Sequence, residues 1–399
     1  MQRAPGFREF ITIMALSMSL VALSIDAMLP ALSQIADGFG VIRENDRQLV
    51  ITVLFIGFAL GQIVYGPVSD SIGRRKPIFF GFGLFIVGTV VAIFSPTFEW
   101  LLIGRFLQGL GAAGPRILTV AMIRDVSSGR EMARIMSLVM MIFILVPAIA
   151  PALGQLVLLI AGWRMIFVAL VLLAILTVSW FYSRQPETLA PENQHQFSIA
   201  NIWIAFKEVC GTRVAVVYTL AGGLIFGAFI GFLSSSQQVL QELYGLGTKF
   251  PFYFAALALT IGVAAFINSR LVVVMGMRAL SKFALWAMFI LAAVFFVYCL
   301  STKPSLVVLM TYLMFSFLAI GLLFGNLNSL AMEPLGHVAG LASSVIGSVT
   351  TALALSIGYL IGSLYDHNLL PMVAGFGVLA IMSLSLVYFG DNTRNIAPS

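Results

Sequence analysis

Asp26 stands near the end of an otherwise uncharged run, ITIMALSMSLVALSIDAMLP, residues 11–30. A carboxylate in such a run is costly, so it needs a partner or a function. A second apolar run, LLIGRFLQGLGAAGPRIL at 101–118, holds Arg105 and Arg116. An acid and a base at matching depth can handle protons. Burial favours the neutral acid and a nearby cation favours the carboxylate. A group held between these effects can take up and release a proton as its access to water changes. Asp26 and Arg105 are the candidate pair.

These residues must be positioned by membrane helices. The chain has 399 residues, 60% hydrophobic and 10% charged, with a mean hydropathy of +1.03. A soluble domain is nearer a quarter charged. Long continuous apolar runs exclude a β-barrel, whose strands alternate. With about 20 residues per crossing, the length holds about a dozen spans. They are expected at 8–30, 48–69, 78–95, 100–122, 134–158 and 162–182, then at 214–237, 250–270, 281–300, 304–327, 338–362 and 370–390. The first run has the length of a full span and no small-residue cleavage site after it, so it reads as a retained helix.

The polar interval 183–213 divides this all-α chain into six-span halves, 1–182 and 214–399. Its segment FSIANIWIAFKEV carries apolar residues at helical spacing and suits either a membrane surface or an ordinary linker. Lysine and arginine set the orientation. Only Arg43, Arg47, Arg164, Lys249 and Lys303 fall in loops on one side, and Arg105 and Arg116 fall within a span; the rest, from Arg3 to Arg394, fall on the other. Both termini are therefore expected in the cytoplasm. The net charge of +6 is explained by the inner leaflet and calls for no nucleic acid. Cys210 and Cys299 lie on opposite sides in this topology and form no disulfide framework.

GPVSDSIGRRKP at 66–77 joins the second and third spans. Gly66 allows close helix approach, Asp70 ends the helix, and Gly73 permits a sharp turn. Arg74, Arg75 and Lys76 suit anionic headgroups. The corresponding loop of the second half, NSRLVVVMGMRALSK at 268–282, repeats the pattern with Gly276 and Arg278. Parallel halves of six spans are one of the transporter designs in which the substrate site lies at mid-membrane between the repeats.

These residues resemble the signature loop of the major facilitator superfamily, G-x-x-x-D-x-x-G-R-R-x-x. The resemblance implies that Asp70 and Arg74 clamp the halves in an outward-open state, with Asp70 facing the start of helix 11. RFLQGLGAA at 105–113 is similar to the helix 4 motif R-x-x-Q-G-x-G-A-A of proton-coupled drug antiporters. Here small residues permit close packing, and a buried Arg105 needs water or carbonyl acceptors. APALG at 150–154 resembles the helix 5 motif G-P-x-x-G-G, with Ala150 and Gln155 in place of two glycines. Pro147, Pro151 and Gly154 represent that motif, and the prolines are expected to bend the helix. Together with LSIDAMLPALSQIADGFG, GFALGQIVYGPVSDSIGRRKP and Arg124-Asp125, the whole chain is similar to the Bcr/CflA group.

That resemblance implies bacterial inner-membrane efflux of small drug-like molecules, of the bicyclomycin, phenicol or sulfonamide class. It implies coupling to protons with no cofactor, in a monomer. Asp26 lies four residues before Pro30, and Arg105 five after Trp100. Both are then expected about 6–8 Å below the outer helix ends, coupled directly or through water. Arg116 lies 11 residues beyond Arg105, on the same helix face and about 16 Å deeper. It suits anionic or electronegative substrate groups, or packs or snorkels. Gln108, Ser234, Gln237, Asn326 and Asn328 join it as candidate cavity residues.

Other readings are a metabolite or peptide exporter or a proton symporter on the same fold, and a receptor without transport. A receptor has no need of two intramembrane charges and a gate loop. His195, His337 and His367 have no metal-ligand spacing. The sequence contains no P-loop, HExxH or nucleophile elbow, which argues against an ATP-driven pump or an enzyme.

Overall fold

The computed structural model describes residues 5–194 and 198–391. Arg3, His195 and Arg394 lie outside them. Among the described residues, twelve helical segments are long and apolar enough to cross a membrane. The chain is an all-α, multi-pass membrane protein with two compact units, Met1–Ile199 and Ala200–Ser399.

In the first unit, α1 (Phe7–Asp26) is followed by a 3-10 turn (Leu29–Ala31) and α2 (Leu32–Phe39), which together form the first span. Then come α3 (Leu49–Ile72), α4 (Arg75–Ile93), α5 (Phe98–Val126), α6 (Gly129–Ala161) and α7 (Arg164–Arg184). Most spans begin and end within a few residues of the expected limits. The first does not: it continues nine residues past Pro30, to Phe39. Pro30 has no N–H to give the Asp26 carbonyl, so the α-helical ladder cannot run through it. The chain tightens there instead, with Met28 N–H on Ile25 O (3.3 Å) and Ala31 N–H on Met28 O (2.9 Å). It then resumes as helix until Gly40, whose φ of 63° closes α2.

The first and fourth spans are the most deeply buried of this unit, at 83% and 61% of their apolar cores. Glycine makes that possible for α5. A Cβ on Gly109 would stand 1.8 Å from the Leu54 carbonyl oxygen of α3, and one on Gly111 2.3 Å from the Phe85 nitrogen of α4. The backbones of α3 and α4 therefore close on α5 from two sides. The proline-bearing segment of α6 stays within one continuous helix.

The second unit begins with the short α8 (Ile199–Gly211) and holds α9 (Arg213–Gln237), α10 (Phe250–Met275), α11 (Met277–Ser301), α12 (Leu306–Met332), α13 (Ala339–Ser363) and α14 (Leu370–Asp391). A π-helical turn, Gln238–Leu243, prolongs α9. Again the first and fourth spans are the most buried, at 72% and 61%. Hydroxyl side chains cap the fourth span of both units: Thr97 accepts the Trp100 N–H (3.5 Å) and Ser305 the Val308 N–H (3.4 Å). The two tight turns also correspond. Gly73 has φ 88°, ψ 168° and Gly276 has φ 76°, ψ 156°. Both are in the left-handed half of φ space that favours glycine.

Candidate functional site

Asp26 closes α1 where the helix breaks. It is 5% exposed and makes no hydrogen bond or ion pair among the described residues. The next residue is clasped from another helix: a Cβ on Gly154 of α6 would stand 2.0 Å from the Ala27 carbonyl oxygen. Gly154 thus lets α6 abut the main chain beside the carboxylate. Pro151, one turn earlier, withholds the N–H that the Pro147 carbonyl would otherwise receive, and Pro147 does the same to Phe143.

Arg105 is fully buried on α5. Its Nε donates to the Val50 carbonyl of α3 (2.8 Å). Its Nη1 donates to the Ser24 carbonyl of α1 (2.9 Å) and to Gln108 Oε1 (2.5 Å). Gln108 Nε2 in turn donates to Thr89 Oγ1 of α4 (2.8 Å). The Phe167 ring of α7 lies 5.8 Å from the guanidinium carbon. Nη2 has no hydrogen-bond partner among the described residues. Carbonyls, not a carboxylate, hold this cation, and it shares no hydrogen bond with Asp26.

Asp26 is the last residue of α1, 13 residues before the end of α2 at Phe39. The bond from Arg105 to Ser24, two residues from Asp26, places the two groups at one level. Gln108 is wholly buried between Arg105 and Thr89. Arg116 is half-buried, its guanidinium 4.9 Å from the Phe143 ring centre on α6.

A second cluster surrounds Arg74, which is 7% exposed. Its Nε donates to Asp125 Oδ2 (2.8 Å) and its Nη2 to Asp125 Oδ1 (3.3 Å). Its Nη1 bonds Asp70 and Ser69 Oγ, the latter at 2.7 Å. Burial opposes the charge, but the hydrogen bonds from Asp125 and Asp70 outweigh it and hold the guanidinium above its ordinary value. Asp70 is the acid of the sequence motif, and Asp125 comes from the far end of α5. Arg75 donates to the Tyr182 carbonyl (3.0 Å). Gly66 lies on α3, one turn before Asp70.

Sequence reasoning did not assign Glu187. Its carboxylate accepts the backbone N–H of Arg74 (2.8 Å) and of Arg75 (3.0 Å). Nor did it find Glu9, which takes bonds from Arg184 Nε (2.6 Å), Arg184 Nη2 (2.8 Å) and Trp180 Nε1 (3.0 Å). This joins the start of α1 to the end of α7.

In the second unit, Ser234 and Gln237 are buried at one turn's spacing on α9. Gln237 Nε2 donates to Glu242 (3.1 Å), while Gln237 Oε1 and Ser234 Oγ have no partner among the described residues. Asn326 is paired across helices with Asn268 (2.8 and 3.4 Å). Asn328 is exposed. Arg278 bonds Glu333 at 2.5 Å. This echoes Arg74 and Asp125: the start of the third span is tied to the end of the fourth.

Residues 14–359 match the Major Facilitator Superfamily. The chain belongs to the major facilitator superfamily. It is a membrane transporter, not an enzyme. Among relatives of this superfamily member, an uncharacterized MFS-type transporter of Bacillus subtilis, YdgK, is 32% identical over 92% of this chain and 91% of its own. A bicyclomycin resistance protein homolog of Haemophilus influenzae is 28% identical over 99% and 98%. The multidrug resistance protein MdtL of Escherichia coli is 27% identical over 94% and 93%. The fold matches the xylose transporter XylE of E. coli in a partially occluded inward-open conformation, with a TM-score of 0.75, 13% identity and coverage of 96% and 97%. It also matches the human organic anion transporter MFSD10, with a TM-score of 0.68, 17% identity and coverage of 97% and 99%.

Proposed function

We propose that this transporter exports drug-like small molecules from the cytoplasm in exchange for protons, by alternating access. It would act as a monomer in a bacterial inner membrane, with both termini cytoplasmic and no cofactor. The observation that carries the reading is Asp26: a buried carboxyl without a partner, at a helix break, level with a cation held by carbonyls. Neither group's charge is committed to a structural ion pair. The resistance-named relatives support the drug substrate, and the basic loops support the orientation.

In this reading Asp26 gains a proton when open to the outside and loses it to the cytoplasm. Arg105 supplies a fixed positive field on α5, which favours the ionised acid. Binding of substrate near the pair favours deprotonation; protonation weakens the hold on substrate and lets it leave. The pH gradient then drives the cycle with Asp26 as carrier.

The test uses purified transporter in liposomes with an imposed pH gradient. Wild type should move a phenicol or bicyclomycin against its gradient and move protons the other way. Movement of substrate and protons in the same direction would show a symporter. No movement of any drug in a broad panel, with uptake of a metabolite or peptide, would replace the drug reading.

A further inference from the structure

Glu187 follows α7 by three residues, yet its carboxylate meets four backbone N–H groups. Oε1 accepts from Arg74 (2.8 Å), Thr188 (3.0 Å) and Leu189 (3.1 Å); Oε2 accepts from Arg75 (3.0 Å). The arginine amides open α4, where the first N–H groups have no helical acceptor and the helix dipole favours an anion. The N-cap residue of α4, Arg74, supplies no side-chain cap of its own. A residue 113 positions later supplies it. Gly73 leaves the space: a Cβ there would stand 2.6 Å from Glu187 Oε2. Gly73 therefore serves two needs, its φ of 88° and the seat of this carboxylate.

The next residue completes the contact. Thr188 donates its hydroxyl to Asp125 Oδ2 (3.0 Å), the oxygen that also accepts Arg74 Nε. Two consecutive residues thus hold Arg74 from both sides. Glu187 grips its main chain, and Thr188 grips the carboxylate that holds its side chain.

We propose that Glu187 is a positioning residue of the Arg74 cluster and that Glu187 and Thr188 form a releasable strap. Seated, the strap fixes the start of α4 so that the guanidinium reaches Asp70 and Asp125 together. When α4 shifts during transport, the two bonds from the Arg74 and Arg75 N–H groups break and the segment that follows Glu187 is freed. Its mechanical role rests on the transport reading above; the seating of the strap does not.

The full-length protein tests this with E187A, E187Q, E187D and T188V. One readout is the rate of tryptic cleavage of the native protein between residues 184 and 213. The other is turnover against KM for a transported drug. E187A should be cut several-fold faster, with lower kcat and unchanged KM, because the substrate site is untouched. E187Q should fall between it and wild type, since its amide oxygen still accepts while its nitrogen faces a donor. E187D, one methylene shorter, should also be intermediate. Wild-type cleavage in E187A would overturn the strap. Faster cleavage with unaltered kcat would reduce Glu187 to a helix cap and overturn the positioning role.

If E187A does not fold, T188V leaves the cap on α4 in place and decides by the same readouts. If wild type carries no drug, the transport reading fails by itself. The gate is then read from maleimide labelling of Ser71→Cys in a Cys210→Ser/Cys299→Ser background. Labelling raised by E187A supports positioning; unaltered labelling overturns it.

Discussion

Arg105 on α5 reaches the main chain of α1 at Ser24, with Nη1 2.9 Å from the carbonyl oxygen. The bond fixes a buried cation two residues from an unpaired buried carboxyl, Asp26, without neutralising either. An ion pair would lock both charges. Carbonyl coordination holds the cation in place and leaves the acid free to change its charge.

The first prediction follows from that freedom. Asp26→Asn removes the proton but keeps the shape. Gradient-driven efflux should vanish while membrane insertion and monodispersity persist. Because Asp26 has no hydrogen bond to lose, the melting temperature should stay level or rise. Efflux at wild-type rates under a pH gradient, measured in proteoliposomes, would remove Asp26 from the coupling step.

Gly154 gives the second. A Cβ at this position meets the Ala27 carbonyl, which is backbone and cannot swing away. Gly154→Ala must push α6 off α1, an overpacking cost of about 1–3 kcal/mol. The expected result is a lowered melting temperature together with impaired transport. A neighbouring control, Ala152→Gly, exposed on the same helix, should do neither beyond the small cost of glycine in a helix, about 1 kcal/mol.

Much of this was legible in the sequence, for reasons tied to particular residues. Gly73 between a helix-ending aspartate and two arginines has few interpretations, so its turn could be read; the bonds that draw Arg74 onto Asp70 and Asp125 could not. The glycines of RFLQGLGAA foretold close packing because small residues at helical spacing have that meaning in lipid. Glu187 was invisible: a lone glutamate in a polar linker reads as solvated, and its acceptor role depends on a turn 113 residues earlier. The length of the first span was misread because Pro30 stops a ladder without stopping a helix. LSQIADGF beyond it is amphipathic enough to resume. The bond from Arg105 to Ser24 could not be read, since carbonyl acceptors carry no sequence signature.

The Arg74 cluster yields a third prediction, on pH. Its folded-state guanidinium is held above its ordinary value. Such a group contributes stability that is fully present below the unfolded value and is lost only as pH rises through the folded one. Both lie far above the working range. Thermal melts of Arg74→Gln compared with wild type should therefore differ by a constant amount between about pH 6 and pH 9. Substituting Asp125→Asn in both backgrounds should reveal coupling of about 1 kcal/mol or more, as for a partly buried, multiply bonded pair. A difference that fades within this window would mean that another group dominates the cluster.

The fourth concerns Thr89, the last member of the chain from Arg105 through Gln108. Thr89→Val keeps the volume and deletes the acceptor of Gln108 Nε2. A buried amide donor left without a partner costs about 1–3 kcal/mol. The guanidinium keeps its carbonyls, so the charge at Arg105 is unaltered. Stability should fall while the ratio of protons to substrate stays as in wild type, measured in the same liposomes. A shifted ratio would mean that Gln108 acts in coupling and not only in placing Arg105.

Arg116 gives the last prediction, because its guanidinium packs on a ring. Its guanidinium lies 4.9 Å from the Phe143 centroid, a cation–π contact worth about 0.5–2 kcal/mol. Half-buried and without a carboxylate partner among the described residues, it has donors to offer a substrate. If it does so, Arg116→Ala should weaken transport of anionic or strongly electronegative drugs far more than of apolar ones. Arg116→Lys should restore part of the difference, as it keeps the charge without the planar fork. Phe143→Leu separates the two roles: it removes the ring but leaves the cation. If packing is all that Arg116 does, Phe143→Leu and Arg116→Ala should cost similar stability and neither should reorder the substrate panel. A reordered panel in Arg116→Ala alone assigns the guanidinium to the substrate.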